Sequence, residues 1–143
     1  MARYTTTIAS PWNAEDAFDY MADLRNFADW DPGVKASTIT SGSEPAVGTA
    51  YKVTVALTNL TYVTKEFDHP HRTVAEAKTA LFRSYDIIEV TETDDGCEVF
   101  YDAKLTLNGP FGLADPLLGL AFGRIGDKAA AGMAAALGGK KIR

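Results

Sequence analysis

Several chemical features that would assign a function are absent from this sequence. No Gly-rich phosphate loop, serine nucleophile elbow or dinucleotide-binding fingerprint occurs in its 143 residues. Its single cysteine, Cys97, excludes an internal disulfide. Cys97 follows Asp95-Gly96 at the start of a predicted strand, which favours a packed thiol over a nucleophile. We therefore expect no cofactor, and any chemistry would be acid–base work by a tyrosine, Glu76, Asp86 or Arg83 around a bound substrate.

Metal ligands are also scarce. The two histidines, His69 and His71, flank Pro70 in a predicted turn next to Asp68. Two imidazoles beside a carboxylate superficially suggest metal or base chemistry. No third or fourth ligand lies nearby in sequence, and a turn at a sheet edge is usually wet. We expect no metal site and interpret Asp68 as a turn residue.

Positive charge is low. The chain has 14 Lys and Arg against 19 Asp and Glu, a net charge of −5. Long-range attraction to nucleic acid or to an anionic membrane is therefore disfavoured. The only basic cluster is Lys140, Lys141 and Arg143. We predict that it is a frayed tail that complements the negative end of a helix dipole.

Long uninterrupted hydrophobic runs are missing as well. Residues 117–137 are apolar, but Arg124, Asp127 and Lys128 interrupt them. A bilayer span needs about twenty mostly apolar residues. Residues 1–7 contain no apolar core of signal-peptide length. We predict no stable membrane insertion and a cytoplasmic location.

The sequence does contain the elements of one globular domain, over residues 1–143. Residues 4–9 are rich in Thr and Ile and predict a first strand. Asn13 is a helix cap, and an apolar stripe ending at Met21 follows it. Asp23 starts a second short helix that ends near Trp30.

After Gly33 the hydrophobic period changes from helical to two. This pattern predicts strands at about 34–41, 49–57, 61–67, 73–80, 82–91 and 97–107. The connections are too short for crossover helices, so the strands are expected to be antiparallel neighbours. Alternation along the strands leaves each with one apolar face and one that meets water.

A long helix from Asp115-Pro116 to Gly138 closes the chain. Its apolar residues recur at three- and four-residue steps, and no other segment is long enough to cover the apolar face of the sheet. The expected fold is α+β: a curved antiparallel sheet of six to seven strands that grips a long C-terminal helix, with two short helices after the first strand.

At this point the sequence resembles a known family. The matching segments, in order, are Ser10-Pro11, Ala17-Phe18, Leu24, Trp30-Asp31-Pro32-Gly33-Val34, Gly48-Thr49, Phe67-Asp68-His69-Pro70-His71-Arg72, Asp95-Gly96 and the strand with Val99 and Tyr101. Their order and spacing resemble the START-like, helix-grip superfamily, specifically its polyketide cyclase/dehydrase and lipid-transport group, over nearly the whole chain. The resemblance implies an apolar cavity that binds a hydrophobic or polycyclic small molecule. It implies no catalytic residue, because no single catalytic motif runs through the group.

Candidate ligand-binding residues follow from the alternation of the strands and the stripe of the helix. They are Trp30, Tyr51, Tyr62, Arg83, Tyr85, Tyr101, Leu118, Phe122 and Ile125. A tyrosine offers an apolar ring and a hydroxyl that orients a polar group of the ligand. Trp30 either seals the core or gates the cavity mouth. An inward Arg83 would hold a carboxylate or enolate, whereas an outward one would be solvated.

The strand at 73–80 has two alternative registers. One places Glu76 and Lys78 inside, which is costly unless they are paired. The other places Ala75 and Ala77 inside, leaves volume for a cavity and exposes both charges. We favour the second register.

Four glycines, Gly119, Gly123, Gly126 and Gly132, lie within the long helix, and each costs about 0.5–1 kcal/mol relative to alanine. Such a helix needs close backbone approach or empty space beside it. Gly119 and Gly123 would line the cavity, or else form a homodimer interface.

Three functions remain open at this stage. The first is binding of a hydrophobic or polycyclic small molecule. The second is a cofactor-free polyketide cyclase, aromatase or dehydratase that uses Tyr62, Glu76, Arg83 and Tyr101. The third is a non-catalytic interaction or stress-response domain. Whether the protein is an enzyme stays undecided by the sequence.

Overall fold

The computed structural model describes residues 1–56, 58–109 and 115–143, with the side chains of residues 115–118 outside the description. A 3₁₀ turn over Leu24–Asn26 runs directly into the second short helix. The strands and helices are β1 Ala2–Ser10, α1 Ala14–Ala22, α2 Phe27–Trp30, β2 Ala36–Ser41, β3 Ala50–Thr54, β4 Asn59–Asp68, β5 Arg72–Lys78, β6 Phe82–Thr93, β7 Gly96–Leu107, α3 Asp115–Ala136 and β8 Lys140–Lys141.

The described strands form one curved, open antiparallel sheet in the order β2-β3-β4-β5-β6-β7-β1-β8. The helix α3 contacts β1 and α2. This arrangement confirms the predicted α+β helix-grip fold. The sheet has eight strands and not six to seven, because the two residues of β8 add a short edge strand. Among the described residues, no helix has the length and apolarity needed to cross a bilayer.

The short helices begin where their caps predict. The Asn13 side chain accepts a hydrogen bond from the backbone N–H of Asp16 at 2.8 Å. The Asp23 carboxylate does the same for the N–H of Arg25 at 3.0 Å. Each side chain satisfies a backbone donor that has no partner inside its helix. Asp23 caps the 3₁₀ turn that leads into α2, and Phe18 of α1 and Trp30 of α2 are both buried in the core.

Alternation along the strands divides the sheet as predicted. On β3, Tyr51 and Val53 are buried while Lys52 between them is exposed. On β7, Val99 and Tyr101 are buried on the same concave face. These side chains, with Phe18, Met21 and other buried residues of the helices, make up one hydrophobic core.

The register of β5 is the one that the sequence favours. Ala75 and Ala77 face the concave side, where Ala77 lies between Tyr62 of β4 and Ser84 of β6. The expectation that Glu76 is exposed on the outer face is wrong, since its residue is 7% exposed. Arg83 Nε donates to Glu76 Oε2 at 2.7 Å, and Lys78 Nζ lies 3.7 Å from Glu76 Oε1. These two cations compensate the carboxylate for its lost hydration.

The basic C-terminal tail is not frayed, contrary to the prediction. Lys140 and Lys141 pair with Ala9 and Ile8 of β1. Beyond β8, the N–H of Ile142 donates to the carbonyl of Thr7 at 2.9 Å. The unpaired edge of β1 supplies these backbone partners, and such a contact between distant segments has no local sequence signature.

Candidate ligand-binding pocket

A pocket of about 540 Å³ lies between the concave face of the sheet and α3. Its wall is formed mainly by apolar side chains from β3, β4, β6, β7 and α3. These include Val53, Leu60, Phe82, Ala103, Leu105, Phe122, Ile125 and Ala129. Exposed residues at the rim, such as Ala56 and Ile125, mark where the pocket meets solvent. Small side chains on neighbouring strands leave this space unfilled.

Two hydrogen-bonded pairs lie in this apolar wall. The hydroxyl oxygens of Tyr62 and Ser84 are 3.1 Å apart. The Tyr101 hydroxyl donates to Asp86 Oδ2 at 3.3 Å. Both contacts follow from register: Tyr62 reaches Ser84 across the small Ala77, and Tyr101 is the diagonal neighbour of Asp86 on adjacent strands.

Asp86 is the most unusual group of the pocket. It is 8% exposed, and its Oδ1 accepts no hydrogen bond from the described residues. Burial raises the pKa of Asp86 to about 7, the hydrogen bond from Tyr101 opposes this shift, and the charges of Asp31 and Asp102 add to it. The side chain is therefore close to half protonated at neutral pH.

A second carboxyl, Asp31, lines the pocket just after α2. The N–H of Gly33 donates to Asp31 Oδ1 at 2.8 Å. Burial nevertheless raises the pKa of Asp31, because loss of hydration outweighs the stabilising hydrogen bond. Asp31 and Asp86 are the only charged side chains among the described residues that line this pocket.

Of the three tyrosines that line the pocket, Tyr4, Tyr62 and Tyr101, the two nearest Asp86 stay neutral. Burial is the main cause that raises the pKa of both Tyr62 and Tyr101, and the charge of Asp86 raises each further. A neutral phenol donates one hydrogen bond and accepts others. The pocket therefore offers a ligand an apolar wall and, around Asp86, the hydroxyls of Tyr62, Ser84 and Tyr101. Among the described residues, Asp31, Thr58 and Tyr4 are its other polar lining residues, and the Tyr4 hydroxyl already donates to Asp127 at 2.8 Å.

Four of the nine predicted site residues line the pocket. Tyr62 and Tyr101 contribute from β4 and β7, and Phe122 and Ile125 contribute from α3. The predicted wall residue Leu118 has a side chain outside the described residues. The structure thus brings Tyr62, Tyr101, Phe122 and Ile125 together around one pocket.

Trp30 and Tyr51 lie beside the pocket and do not line it. Trp30 is 1% exposed, stacks on Phe27 at 4.7 Å between ring centroids and meets the edge of Tyr101 at 5.5 Å. It therefore seals the core, which was one of its two predicted roles. Tyr51 is also fully buried, and burial raises its pKa to about 12.

Arg83 and Tyr85 are corrections to the predicted site. Both side chains line a shallow depression on the outer face of the sheet, together with Lys104. Because successive residues of a strand point to opposite faces, the inward position of Ser84 and Asp86 places Arg83 and Tyr85 outside. The set of Tyr62, Glu76, Arg83 and Tyr101 is therefore divided between the two faces.

The predicted ligand-binding residues do not include Asp31, Ser84 and Asp86, although Asp86 is one of the acid–base candidates of the sequence. Asp31 was interpreted as part of a turn motif. Ser84 and Asp86 carry a signal that could have identified them, since they share the period-two face of Ile88 and Val90. Polar residues on an otherwise apolar strand face are the pattern of a polar site in a pocket.

The residues most able to hold a metal lie elsewhere. Among the described residues, the ligand atoms of Glu15, Asp19 and His69 fall within 4.8 Å of one another. All three residues are exposed, and His69 Nε2 lies 2.7 Å from Asp19 Oδ1. The ring of His69 also packs against Phe18 and Phe67, which explains its position without an ion.

The fold and the pocket define a helix-grip protein with an apolar pocket between the sheet and α3. The sequence profile described as polyketide cyclase / dehydrase and lipid transport matches residues 1–138. The chain belongs to this family. No curated protein sequence matches the chain.

Solved structures show the same fold at low sequence identity. A START superfamily protein from Mycobacterium smegmatis is 12% identical, with a TM-score of 0.75 and 96% of each chain covered. A hypothetical protein from Helicobacter pylori is 9% identical, with a TM-score of 0.76, over 94% of this chain and 87% of that one. A protein from Thermus thermophilus is 15% identical, with a TM-score of 0.70 and 92% of each chain covered. These likenesses concern the fold alone.

Proposed function

We propose that this protein binds a hydrophobic small molecule in the pocket between the sheet and α3. The observation that carries the proposal is the 540 Å³ volume with its largely apolar wall. Small-molecule pockets typically enclose about 300–1,000 Å³ and combine apolar walls with a few polar groups that orient the ligand. The family and the fold support the same class of ligand.

The arrangement of apolar and polar side chains in the pocket predicts how the ligand is oriented. Removing apolar ligand surface from water drives binding by roughly 25 cal/mol per Å². Tyr62, Ser84, Asp86 and Tyr101 are grouped on the concave face of β4, β6 and β7, so one polar group of the ligand would be directed towards them. Open rim positions beside Ala56 and Ile125 would provide the route of entry.

Titration with the neutral dye Nile red tests this proposal. We expect saturable fluorescence enhancement with about one dye per chain, and native mass spectrometry should detect the same complex. Absence of saturable uptake by both methods would refute the proposed function.

A matched pair of variants locates the binding site. Ala103 points into the pocket from β7, so Ala103→Phe fills part of the cavity and should weaken dye binding at least about tenfold. Ala131 lies on the exposed side of α3, so Ala131→Phe should leave dye binding unchanged. Equal loss in both variants, or in neither, would mean that the dye binds elsewhere.

A second candidate function is cofactor-free acid–base catalysis on a poly-β-keto or related substrate. The observation that favours it is the pKa of Asp86 at about 7, beside the hydroxyl of Tyr101. A carboxyl with such a pKa exchanges protons readily at neutral pH. Cyclisation or dehydration of a poly-β-keto probe should then slow about a hundredfold in Asp86→Asn. Unchanged turnover, with the fold intact, would exclude this role.

A further inference from the structure

The pocket combines an apolar wall with acidic groups and has no basic one. Of its described lining residues, Asp31 and Asp86 are acidic, and none is Lys, Arg or His. The cations of this part of the sheet, Arg83 and Lys104, lie on the outer face. An anionic head group, such as the carboxylate of a fatty acid, would therefore meet two carboxyls and no cation.

Asp86 has one carboxylate oxygen that can accept a hydrogen bond from a ligand. Tyr101 donates to Oδ2, whereas Oδ1 accepts no hydrogen bond from the described residues of the chain. The residue is 8% exposed, so water can compensate it only from within the pocket. This oxygen is not among the fully buried atoms without a partner, so a donor inside the pocket, either water or a ligand group, can reach it.

The groups around Asp86 do not supply a positive charge. The titratable side chains that face it are Tyr101 on β7, Tyr62 on β4 and Asp31 after α2, with Asp102 on the outer face of β7. The described lining residues of α2, β5 and α3 in the adjoining cavities are not titratable. Each charged neighbour of Asp86 is thus negative and opposes its ionisation.

Aromatic rings complete the environment. Phe27, Tyr62 and Tyr101 line the pocket next to Asp86. Ring faces attract cations, and the attraction increases where water is excluded. A positively charged group placed against Asp86 would gain a charge-assisted hydrogen bond and contact with these rings.

We propose that the ligand of this pocket is an apolar amine whose protonated nitrogen donates to Asp86 Oδ1, with Asp31 as a second carboxylate near the rim. This inference rests on the proposed function and specifies its ligand class. Binding shifts Asp86 to its ionised form, because an ammonium ion favours the carboxylate over the carboxylic acid. The apolar part of the amine packs against the side chains of β3, β4, β7 and α3 that line the pocket.

The experiment compares probes that share one chain and differ in head group. n-Octylamine, n-octanol and octanoate compete with bound Nile red at about pH 8, where Asp86 is mostly ionised and the amine is still protonated. We expect n-octylamine to bind at least about tenfold more tightly than n-octanol, and octanoate to bind most weakly. Equal or tighter binding of n-octanol or octanoate would overturn the amine assignment while the proposed function stands. Failure of Nile red and every probe to bind would overturn both.

The pH dependence provides a second, independent measurement on the unaltered chain. Between about pH 5 and pH 8, the affinity for n-octylamine should rise at least about tenfold, because the proton leaves Asp86 over this range. A neutral ligand that accepts a hydrogen bond from protonated Asp86 would show the opposite slope. A flat or falling affinity for n-octylamine would overturn the inference, even if no pocket variant folds.

Two matched variants test whether the preference for n-octylamine over n-octanol depends on the Asp86 carboxyl. Asp86→Asn keeps the shape and removes the charge, so n-octylamine and n-octanol should then bind within about twofold of each other. Asp95→Asn removes an exposed charge in the β6–β7 turn and should preserve the preference for the amine. A preference for the amine that survives Asp86→Asn would overturn the role of Asp86.

Discussion

At the scale of single residues, Asp86 has the largest energetic consequence. Folding moves its carboxyl from water to a site where it is 8% exposed and has one phenol donor. The nearby Asp102 is also buried, but it faces outwards and Arg3 contacts it through two hydrogen bonds of 3.0 and 2.9 Å. A buried aspartate on the outer face of the sheet thus has an arginine as its partner, whereas Asp86 on the concave face has only a phenol among the described residues.

This difference predicts an unusual pH dependence of stability. The folded pKa of Asp86 is about 7 and its ordinary value is 3.8, so the folded state binds more protons than the unfolded state between these limits. The contribution of Asp86 to the free energy of unfolding therefore falls as pH rises from about 4 to 7, by about 2–4 kcal/mol. Raised pKa at Asp31 acts in the same direction.

Urea unfolding of the wild-type chain and of Asp86→Asn at several pH values checks this prediction. The variant has no titrating carboxyl at this position, so its stability relative to wild type should increase as pH rises from about 4 to 7. Asp95→Asn is the control, and its stability should follow that of wild type. Parallel profiles for wild type and Asp86→Asn would contradict the assigned environment.

At the scale of elements, the glycines of α3 have different roles. A Cβ at Gly132 would overlap the backbone carbonyl of Trp30, and a Cβ at Gly126 would overlap the ring of Tyr4. These two glycines allow α3 to approach α2 and β1 closely. At Gly119 and Gly123 no described atom lies within 4 Å of such a Cβ, and neither residue lines the described pocket. The idea that these two form a homodimer interface stays a prediction.

Alanine substitutions at two glycines of α3 should therefore change the free energy of unfolding in opposite directions. Gly132→Ala should lower the free energy of unfolding by about 1–3 kcal/mol, because α3 and the end of α2 would be pushed apart. Gly123→Ala should raise it by about 0.5–1 kcal/mol through improved helix propensity. Chemical denaturation measures both. Destabilisation by Gly123→Ala would indicate a close contact at that position, and sedimentation of Gly123→Leu would show whether it is a subunit interface.

Element positions were predictable where a local pattern determines them. The period-two runs of β3 to β7 and the caps at Asn13 and Asp23 placed these strands and helices to within a few residues. The strand β8 was not predictable, because it consists of two residues whose partners in β1 are more than a hundred positions away. The close approach of Gly132 to the end of α2 was likewise not predictable, because the sequence of α3 does not show where α2 lies.

At the scale of the whole molecule, the pocket links ligand binding to stability. Its described lining residues come from seven strands and helices, so a ligand that binds only the folded state stabilises all of them together. Nile red at about a hundred times its dissociation constant should raise the free energy of unfolding by about 2.7 kcal/mol.

Thermal denaturation with and without dye tests this coupling. The midpoint should rise for wild type and for Ala131→Phe, and it should rise clearly less for Ala103→Phe, whose pocket is partly filled. An equal rise in all three proteins would place the dye outside the pocket.

The sequence by itself determined every strand and helix except β8, the inward faces of β3 and β7, and the closure of the sheet by a long helix. These features depend on local periodicity, turn chemistry and the need to bury apolar surface, which are all readable along the chain. It also predicted Tyr62, Tyr101, Phe122 and Ile125 as neighbours, because their faces are set by alternation and helical spacing.

Only the tertiary structure decided which polar groups meet in the pocket. The pairing of β6 with β7 brings Asp86 to Tyr101, and the end of α2 brings Asp31 to the same cavity. The pKa of a carboxyl depends on hydration and on charges that lie close in space, and neither follows from neighbours in sequence. For the same reason Arg83, which is adjacent in sequence to Ser84, lies on the other face of the sheet and neutralises Glu76 instead of a ligand.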